Sequence, residues 1–317
     1  MDNPRVPYTK VNEHQLRKER LKSMKKNNVS ETITGYIFIG PLAIGLLVLT
    51  LIPIIISIVL SFTSWSLVQG LQGIQFVGLK NFVQLFQDPV FLKSLSNNFI
   101  FILVVPVTMI SALLLAVTIN KNVYWKDLFK VVYFMPYISS IVAVAIVCQV
   151  LFHPEYGPIN ETLKAIGIAN PPKWLADPQF SLLTIMGITV WTGVGYNLII
   201  YLAGLQSIPK DLYEAADIDG ANSIVKFFKI TLPLLSPTTF FLLVTGIIGS
   251  FKVFDIIVVL TGGGPSDSSS MMVFYLYQQA FINLKTGYAS AVSVVLLVCV
   301  LIITLIQFFA QKKWVNY

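Results

Sequence analysis

The stretch LYEAADIDGANSIVKFFKITLP, residues 212–233, decides how the rest of the chain is read. It lies between two apolar runs. Acids crowd its start, with Asp211, Glu214, Asp217 and Asp219 inside nine residues, and Lys226 and Lys229 follow. LYEAAD reads as a short helix and Asp219-Gly220 as a break. Ala221 to Ile230 reads as a second helix, with Ile224, Phe227, Phe228 and Ile230 mostly on one face. Pro209 fits a first helical turn, and Leu232-Pro233 sets the entry to the next apolar run. Early acids and late lysines also suit a helix dipole. A link that only joined two apolar runs would not need this pattern. Two readings stand: a docking device for a soluble partner, and an amphipathic loop lying on a membrane face.

Working outward, the chain of 317 residues is 55% hydrophobic and only 12% charged, with a mean hydropathy of +0.75. Soluble domains carry about a quarter charged residues. This chain in water would expose too much apolar surface, so an all-α integral membrane protein is expected. Six spans are predicted near residues 34–62, 98–119, 129–152, 181–205, 238–260 and 287–310. Pro41 and Pro53 predict a kink or tilt in the first, and Pro106 and Pro136 fall inside the second and third.

The formal charge is +7, and topology accounts for it without nucleic acid. With the N-terminus inside, inner segments hold sixteen Lys/Arg and outer loops five. This bias places both termini and the 206–236 loop in the cytoplasm. Residues 1–32 form a basic cytoplasmic tail, and 33–317 one membrane domain. No cleavable signal is evident, so the first apolar run is read as an uncleaved span. Of the outer loops, FVGLKNFVQLFQDPVF is expected to lie along the membrane interface, with Trp174 as an interface anchor. TGGGPSDSSS is expected to begin an outward turn with close backbone approach.

Chemistry-bearing motifs are sparse. Cys148 and Cys299 sit in apolar runs with no His nearby, so they read as packing residues. No G-x-x-x-x-G-K-[ST], G-x-G-x-x-G, H-E-x-x-H or G-x-S-x-G occurs. The chain is therefore not expected to be an enzyme or to bind a metal or cofactor. Uphill transport would need an ion gradient or an energised partner.

The segment EAADIDGANSIVKFFKITLPLLSP resembles the cytoplasmic EAA signature of binding-protein-dependent ABC importer permeases. FKVVYFMPYISS, YGPINETLKAIGI, WLADP, YLAGLQSIPKDLYEAADIDGA and FDIIVVLTGGGPSDSSSMMVFYLYQQAF are similar to its sugar-permease branch, the maltose and glycerol-3-phosphate type. The resemblance runs from Gly35 to the C-terminus and implies a type I importer permease fold in a bacterial or archaeal plasma membrane. It implies pairing with a second, homologous permease and with two ATPase subunits that bind ATP and Mg. A solute-binding protein would deliver a sugar from outside. Glu214, Ala215, Ala216, Asp219 and Gly220 fall in the matching loop and take the ATPase-coupling role.

For the solute path, the fourth span offers WTGVGYNLIIY. Trp191 and Tyr196 suit stacking on a sugar ring, while Gly193 and its neighbours leave room, and Asn197 adds an amide. The maltose-type permease has a similar W-x-G-x-x-Y lining its solute site. In the fifth span, Lys252 and Asp255 at i, i+3 are expected to share a helix face and pair, near Ser250. The maltose-type permease has asparagines where this chain has Ser250, Lys252 and Val253, which argues against maltose itself. The alternatives are an ion-coupled secondary carrier and an importer of glycerol-3-phosphate or another polar solute. Few intramembrane acids and no internal repeat weigh against the carrier.

Overall fold

The computed structural model describes residues 34–120 and 124–315. The basic tail, residues 1–32, lies outside them. The chain divides into two units, 1–57 and 58–317. The first is built on helix α1, Thr34–Leu60, whose apolar side chains are exposed along its length. Pro53 has no N–H for the carbonyl of Leu49, and the helix widens into a π turn over Leu47–Leu51 just before it. The expected kink is absorbed there, and α1 runs on as one element.

The regular elements of the second unit's described residues are all helices, apart from one isolated bridge, Thr63 to Phe76. Its first helices are α2, Lys80–Gln87; α3, Pro89–Phe101; and α4, Val104–Asn120. Asp88 caps α3, its Oδ1 accepting the N–H of Val90 at 2.8 Å and of Phe91 at 3.2 Å. The apolar run α3–α4 therefore starts at Pro89 rather than near residue 98. Pro106 cannot donate to Ile102, whose carbonyl instead accepts the N–H of Val105, and the helix resets there.

The third apolar run is broken. It comprises α5, Lys126–Ile138, and α6, Ile141–Leu151, set at 95° to each other. A continuous helix over 129–152 is therefore incorrect. Pro136 leaves the carbonyl of Val132 without its helical donor, and the hydroxyl of Ser139 turns back to the Met135 carbonyl at 2.9 Å. Two serines at the joint do little to hold a helix across it.

After α7, Pro158–Ala165, comes α8, Ser181–Gln206, the long central helix. Then follow α9, Lys210–Ile218; α10, Ser223–Leu234; and α11, Ser236–Phe251, bent by 61° from α10. A short α12, Asp255–Leu260, leads to α13, Met272–Tyr277, which runs on as a π turn to Ile282, and to α14, Thr286–Gln311. Among the described residues four helices (α1, α3–α4, α8 and α14) are long and apolar enough to cross a membrane, and six crossings result if each bent pair makes one.

The main core lies between α4 and α8. Ala112 and Ala116 are fully buried on α4, and their small side chains admit Leu198, Tyr201 and Leu202 of α8. Gly195 brings α8 onto the backbone of α5: a Cβ there would stand 2.1 Å from the Tyr133 carbonyl oxygen. A separate core joins α2 and α3 to α13 and α14 through Leu85, Phe91, Tyr275 and Val292. Burying Leu85 and Phe91 contributes about 1.5–3 kcal/mol each. FVGLKNFVQLFQDPVF thus packs into protein along its Leu85 face, with Phe76, Leu79, Val83 and Phe86 turned outward. Trp174 is likewise knotted into its loop, its indole N–H donating to Asn160 Oδ1 at 2.6 Å.

The segment 261–271 is a turn with the expected close approach, Gly263 lying against the Phe274 ring, and it is packed into protein. Ser269, Ser270 and Met271 are fully buried. The Asn97 amide donates to the carbonyls of Asp267, Ser268 and Ser270 at 3.3, 3.0 and 2.9 Å. Ser94 meets Ser270 at 2.8 Å, and Ser181 meets Ser268 at 2.7 Å. Irregular backbone buried in protein needs internal partners, and α3 and α8 supply them.

Candidate functional site

The 206–236 segment forms a two-helix hairpin. Its first helix, α9, ends on Asp219 as cap, with Gly220 in the left-handed region at φ +73°. The Ala221 N–H reaches back to the Ala216 carbonyl at 2.9 Å, closing a Schellman turn that glycine accommodates without strain. Asn222 then caps α10, its Oδ1 accepting the Val225 N–H at 2.9 Å. Two contacts clamp the helices together: Lys226 pairs with Asp217, and the Tyr213 hydroxyl meets that of Thr231 at 2.9 Å.

The clamp leaves a particular surface open. Glu214, Ala215 and Asp219 are exposed and Ala216 is half-buried. Glu214 makes no ion pair among the described residues. Ile218 is 88% exposed, and Ile224 and Phe228, one turn apart on α10, are 69% and 60% exposed. The expected single apolar face is divided, because Ile230 packs against the α4–α8 core while Ile224 and Phe228 point away. The π turn over Phe227–Thr231 shifts the register between these groups. The hairpin thus offers acids, small residues and large apolar side chains on an outer surface.

On α8, the predicted path residues do not share a face. Helical geometry puts Trp191 about 140° from Tyr196 and farther from Gly193, whereas Gly193, Tyr196 and Asn197 fall within one arc of about 100°. Trp191 is 54% exposed. The Tyr196 ring stacks on that of Tyr137 at 4.9 Å, and Tyr137 on Phe134 at 5.7 Å. Gly193 looks toward Thr108, and the Asn197 amide donates to the Gly193 carbonyl at 3.0 Å. Phe134 and Tyr137 were not singled out in the sequence. The proline beside Tyr137 was the available signal, since it marks the end of α5.

Ser250 is buried, with its hydroxyl on the Ile247 carbonyl at 2.8 Å. Lys252 and Asp255 do not pair. Helix α11 ends at Phe251 and α12 begins at Asp255, so the break between them removes the i, i+3 relation. Both side chains are exposed, and among the described residues neither forms an ion pair. No hydrogen bond joins them to the Gly193–Asn197 face. Among the described residues no group of His, Cys, Asp and Glu could hold a metal ion.

A family profile described as "Binding-protein-dependent transport system inner membrane component" matches residues 105–315. The lactose transport system permease protein LacF of Rhizobium radiobacter is 36% identical, over 89% of this chain and 95% of its own. The arabinooligosaccharides transport system permease protein AraP of Bacillus subtilis is 35% identical, over 88% of each chain. Among solved structures, a bacterial alginate ABC transporter in complex with an alginate pentasaccharide-bound periplasmic protein contains a similar chain. The TM-score is 0.79 at 25% identity, covering 90% of this chain and 96% of that one. The match across most of the second unit, with relatives aligned nearly end to end, places the chain in the family of binding-protein-dependent transport system inner membrane components.

Proposed function

We propose that the chain is one permease subunit of an ATP-driven ABC importer for a sugar or oligosaccharide. It crosses the membrane six times, with α5–α6 counted as one crossing and α11–α12 making the fifth beyond the cytoplasmic hairpin, and both termini lie in the cytoplasm. A second, homologous permease completes the pathway. Two partner ATPase subunits bind and hydrolyse ATP with Mg beneath it, and an extracytoplasmic binding protein delivers the sugar. The membrane is a bacterial plasma membrane.

The observation that carries this reading is the clamped α9–α10 hairpin, in a chain without a nucleotide motif. It exposes Glu214 and leaves Ile224 and Phe228 uncovered. The Glu214 carboxylate suits a bidentate grip by a partner arginine, and Ala215 and Ala216 suit close packing. The sugar assignment draws on relatives named for lactose and arabinooligosaccharides. Closure of the ATPase pair then moves the hairpin and, through α10, tilts the spans between inward- and outward-facing states.

The test is sugar uptake by the reconstituted complex with Walker-inactive ATPase subunits, which should stop. Uptake that continued would remove the ATP-driven reading. Glu214→Ala should lower ATP-coupled uptake while leaving expression and membrane insertion intact. Normal uptake by that variant would remove the docking role.

A further inference from the structure

A half-open cleft of about 730 Å³ lies where residues 64–69, α2 and the segment 279–288 meet. Both segments flanking it belong to loops that the Lys/Arg bias puts outside. The hairpin and the Tyr137–Tyr196 stack make no use of it. Its volume falls in the range of small-molecule sites, about 300–1,000 Å³, but its lining is polar where such sites are mostly apolar.

The floor is built and rigid. Gly287 lets the end of α14 touch the 63–65 backbone, where a Cβ would lie 2.0 Å from the Thr63 carbonyl oxygen. The Gly287 N–H donates to the Trp65 carbonyl at 2.8 Å. The buried Asn81 amide ties the carbonyls of Ser61 and Thr63, each at 2.8 Å. The Trp65 ring is fixed by its own N–H on the Gly70 carbonyl at 2.7 Å. An aromatic ring held this way needs no ordering when a ligand arrives.

The walls bring side-chain amides from Gln69, Gln84, Gln279 and Asn283. Each amide both donates and accepts, which complements hydroxyl groups that do the same. The two charges differ in character. Asp88 is committed to the fold: Oδ1 caps α3, and Oδ2 accepts the Tyr275 hydroxyl at 2.6 Å and the Tyr288 hydroxyl at 3.3 Å. Burial opposes ionisation of Asp88, but these donors outweigh it and hold the carboxyl below its ordinary range. Lys285 is exposed and forms no ion pair among the described residues. The one carboxylate in the lining, Asp88, keeps its charge but spends both oxygens on the fold.

We propose that this cleft is a saccharide subsite on the outer face. Its fixed Trp65 ring and ring of amides take neutral pentose or hexose oligosaccharides before they enter the membrane pathway. The proposal rests on the import reading for its direction, but its test is binding and does not depend on transport.

The test uses the reconstituted full transporter without its binding protein, with Cys148 and Cys299 replaced by alanine. Maleimide labelling is followed at Gln84→Cys in the cleft and at Val68→Cys, which lies outside its lining and is 72% exposed in this chain. Lactose and arabinotriose are the probes. Each should slow labelling at Gln84→Cys about tenfold when about nine-tenths of sites are filled, and leave Val68→Cys unchanged. Trp65→Ala should abolish the protection. The paired Gln69→Leu, Gln279→Leu variant should do so too, and it avoids the risk that Trp65→Ala disturbs folding. Unchanged labelling with both sugars overturns the subsite. So does protection seen only when a binding protein is added, which would mark the cleft as a protein seat. ATP-dependent uptake without protection would leave the importer standing and the subsite lost. Protection without ATP-dependent uptake would do the reverse.

Discussion

The ring of Tyr196 on α8 lies 4.9 Å from that of Tyr137 on α5, only 23° from parallel. The contact sits two residues before the α5–α6 break at Ser139. It joins the face that carries Gly193 and Asn197 to the one apolar run that turns by 95°. Stacked aromatic pairs contribute about 0.5–1.5 kcal/mol beyond their burial.

Tyr137→Ala and Tyr196→Ala should therefore be non-additive. In a double-mutant cycle read by thermal unfolding of the solubilised complex, the coupling should be about 0.5–1.5 kcal/mol. Additive losses would show that the rings merely adjoin. Each single variant should also slow uptake, since the stack borders the polar face of α8.

Two glycines on the same helix should respond in opposite directions. Gly195→Ala puts a methyl 2.1 Å from the Tyr133 carbonyl oxygen, with Phe134 Cα at 2.7 Å. Backbone cannot step aside as a side chain can, so a loss of about 2 kcal/mol or more is expected. Gly187→Ala meets nothing within 4 Å. It should be neutral or gain up to about 1 kcal/mol from helix propensity. Melting curves of the two variants against the parent decide it.

Asn97 organises the buried segment after α12 through three carbonyl contacts. Asn97→Ala leaves those oxygens without their donor and should cost about 1–3 kcal/mol. Asn97→Asp replaces a donor by a further acceptor and should be worse. Limited proteolysis should show cleavage within 261–271 appearing first in the Asp variant, then in the Ala variant.

Asp88 carries a pH signature. Its carboxyl is held below the usual range by the Tyr275 hydroxyl and the Phe91 and Val90 N–H groups, against the opposing effect of burial. A depressed folded value means a stabilisation fully present above the ordinary carboxylate pKa, about 3.9, and lost as pH falls through the lower folded value. The melting gap between parent and Asp88→Asn should stay level from neutral pH to about 5 and narrow below about 4. A gap that widened on acidification would contradict this assignment.

Much of this was legible in the sequence because apolar runs long enough to span a bilayer are hard to mistake. The hairpin was legible too. Asp219-Gly220 announces a helix end in local chemistry and the structure has it there, while the second helix starts at Ser223 behind an Asn222 cap rather than at Ala221. The joints were less legible. Pro136 was visible, but a proline inside a span is often tolerated, and only the backbone shows that here it ends the helix two residues later. The Lys252–Asp255 pair failed because spacing implies a shared face only if the helix continues. The buried serines of 268–270 were least legible. A Gly- and Ser-rich segment looks like a solvated turn, and its partners Ser94, Asn97 and Ser181 lie far away in sequence. A regular helix already sets Ile224 and Ile230 about 120° apart, and the π turn in α10 widens that separation further.

The hairpin does not end at Pro233. Helix α10 continues to Leu234 and meets α11 at a single corner, Leu235, which is fully buried. From Ser223 to that corner is twelve residues, about 18 Å of helix. Anchored at that corner and tied to α9 by Lys226–Asp217 and Tyr213–Thr231, α10 forms with α9 one stiff lever for the proposed docking. On the proposed docking, a push of a few ångströms at Ile224 turns α10 by several degrees about Leu235, reaching α11 through the backbone and the α4–α8 core through Ile230.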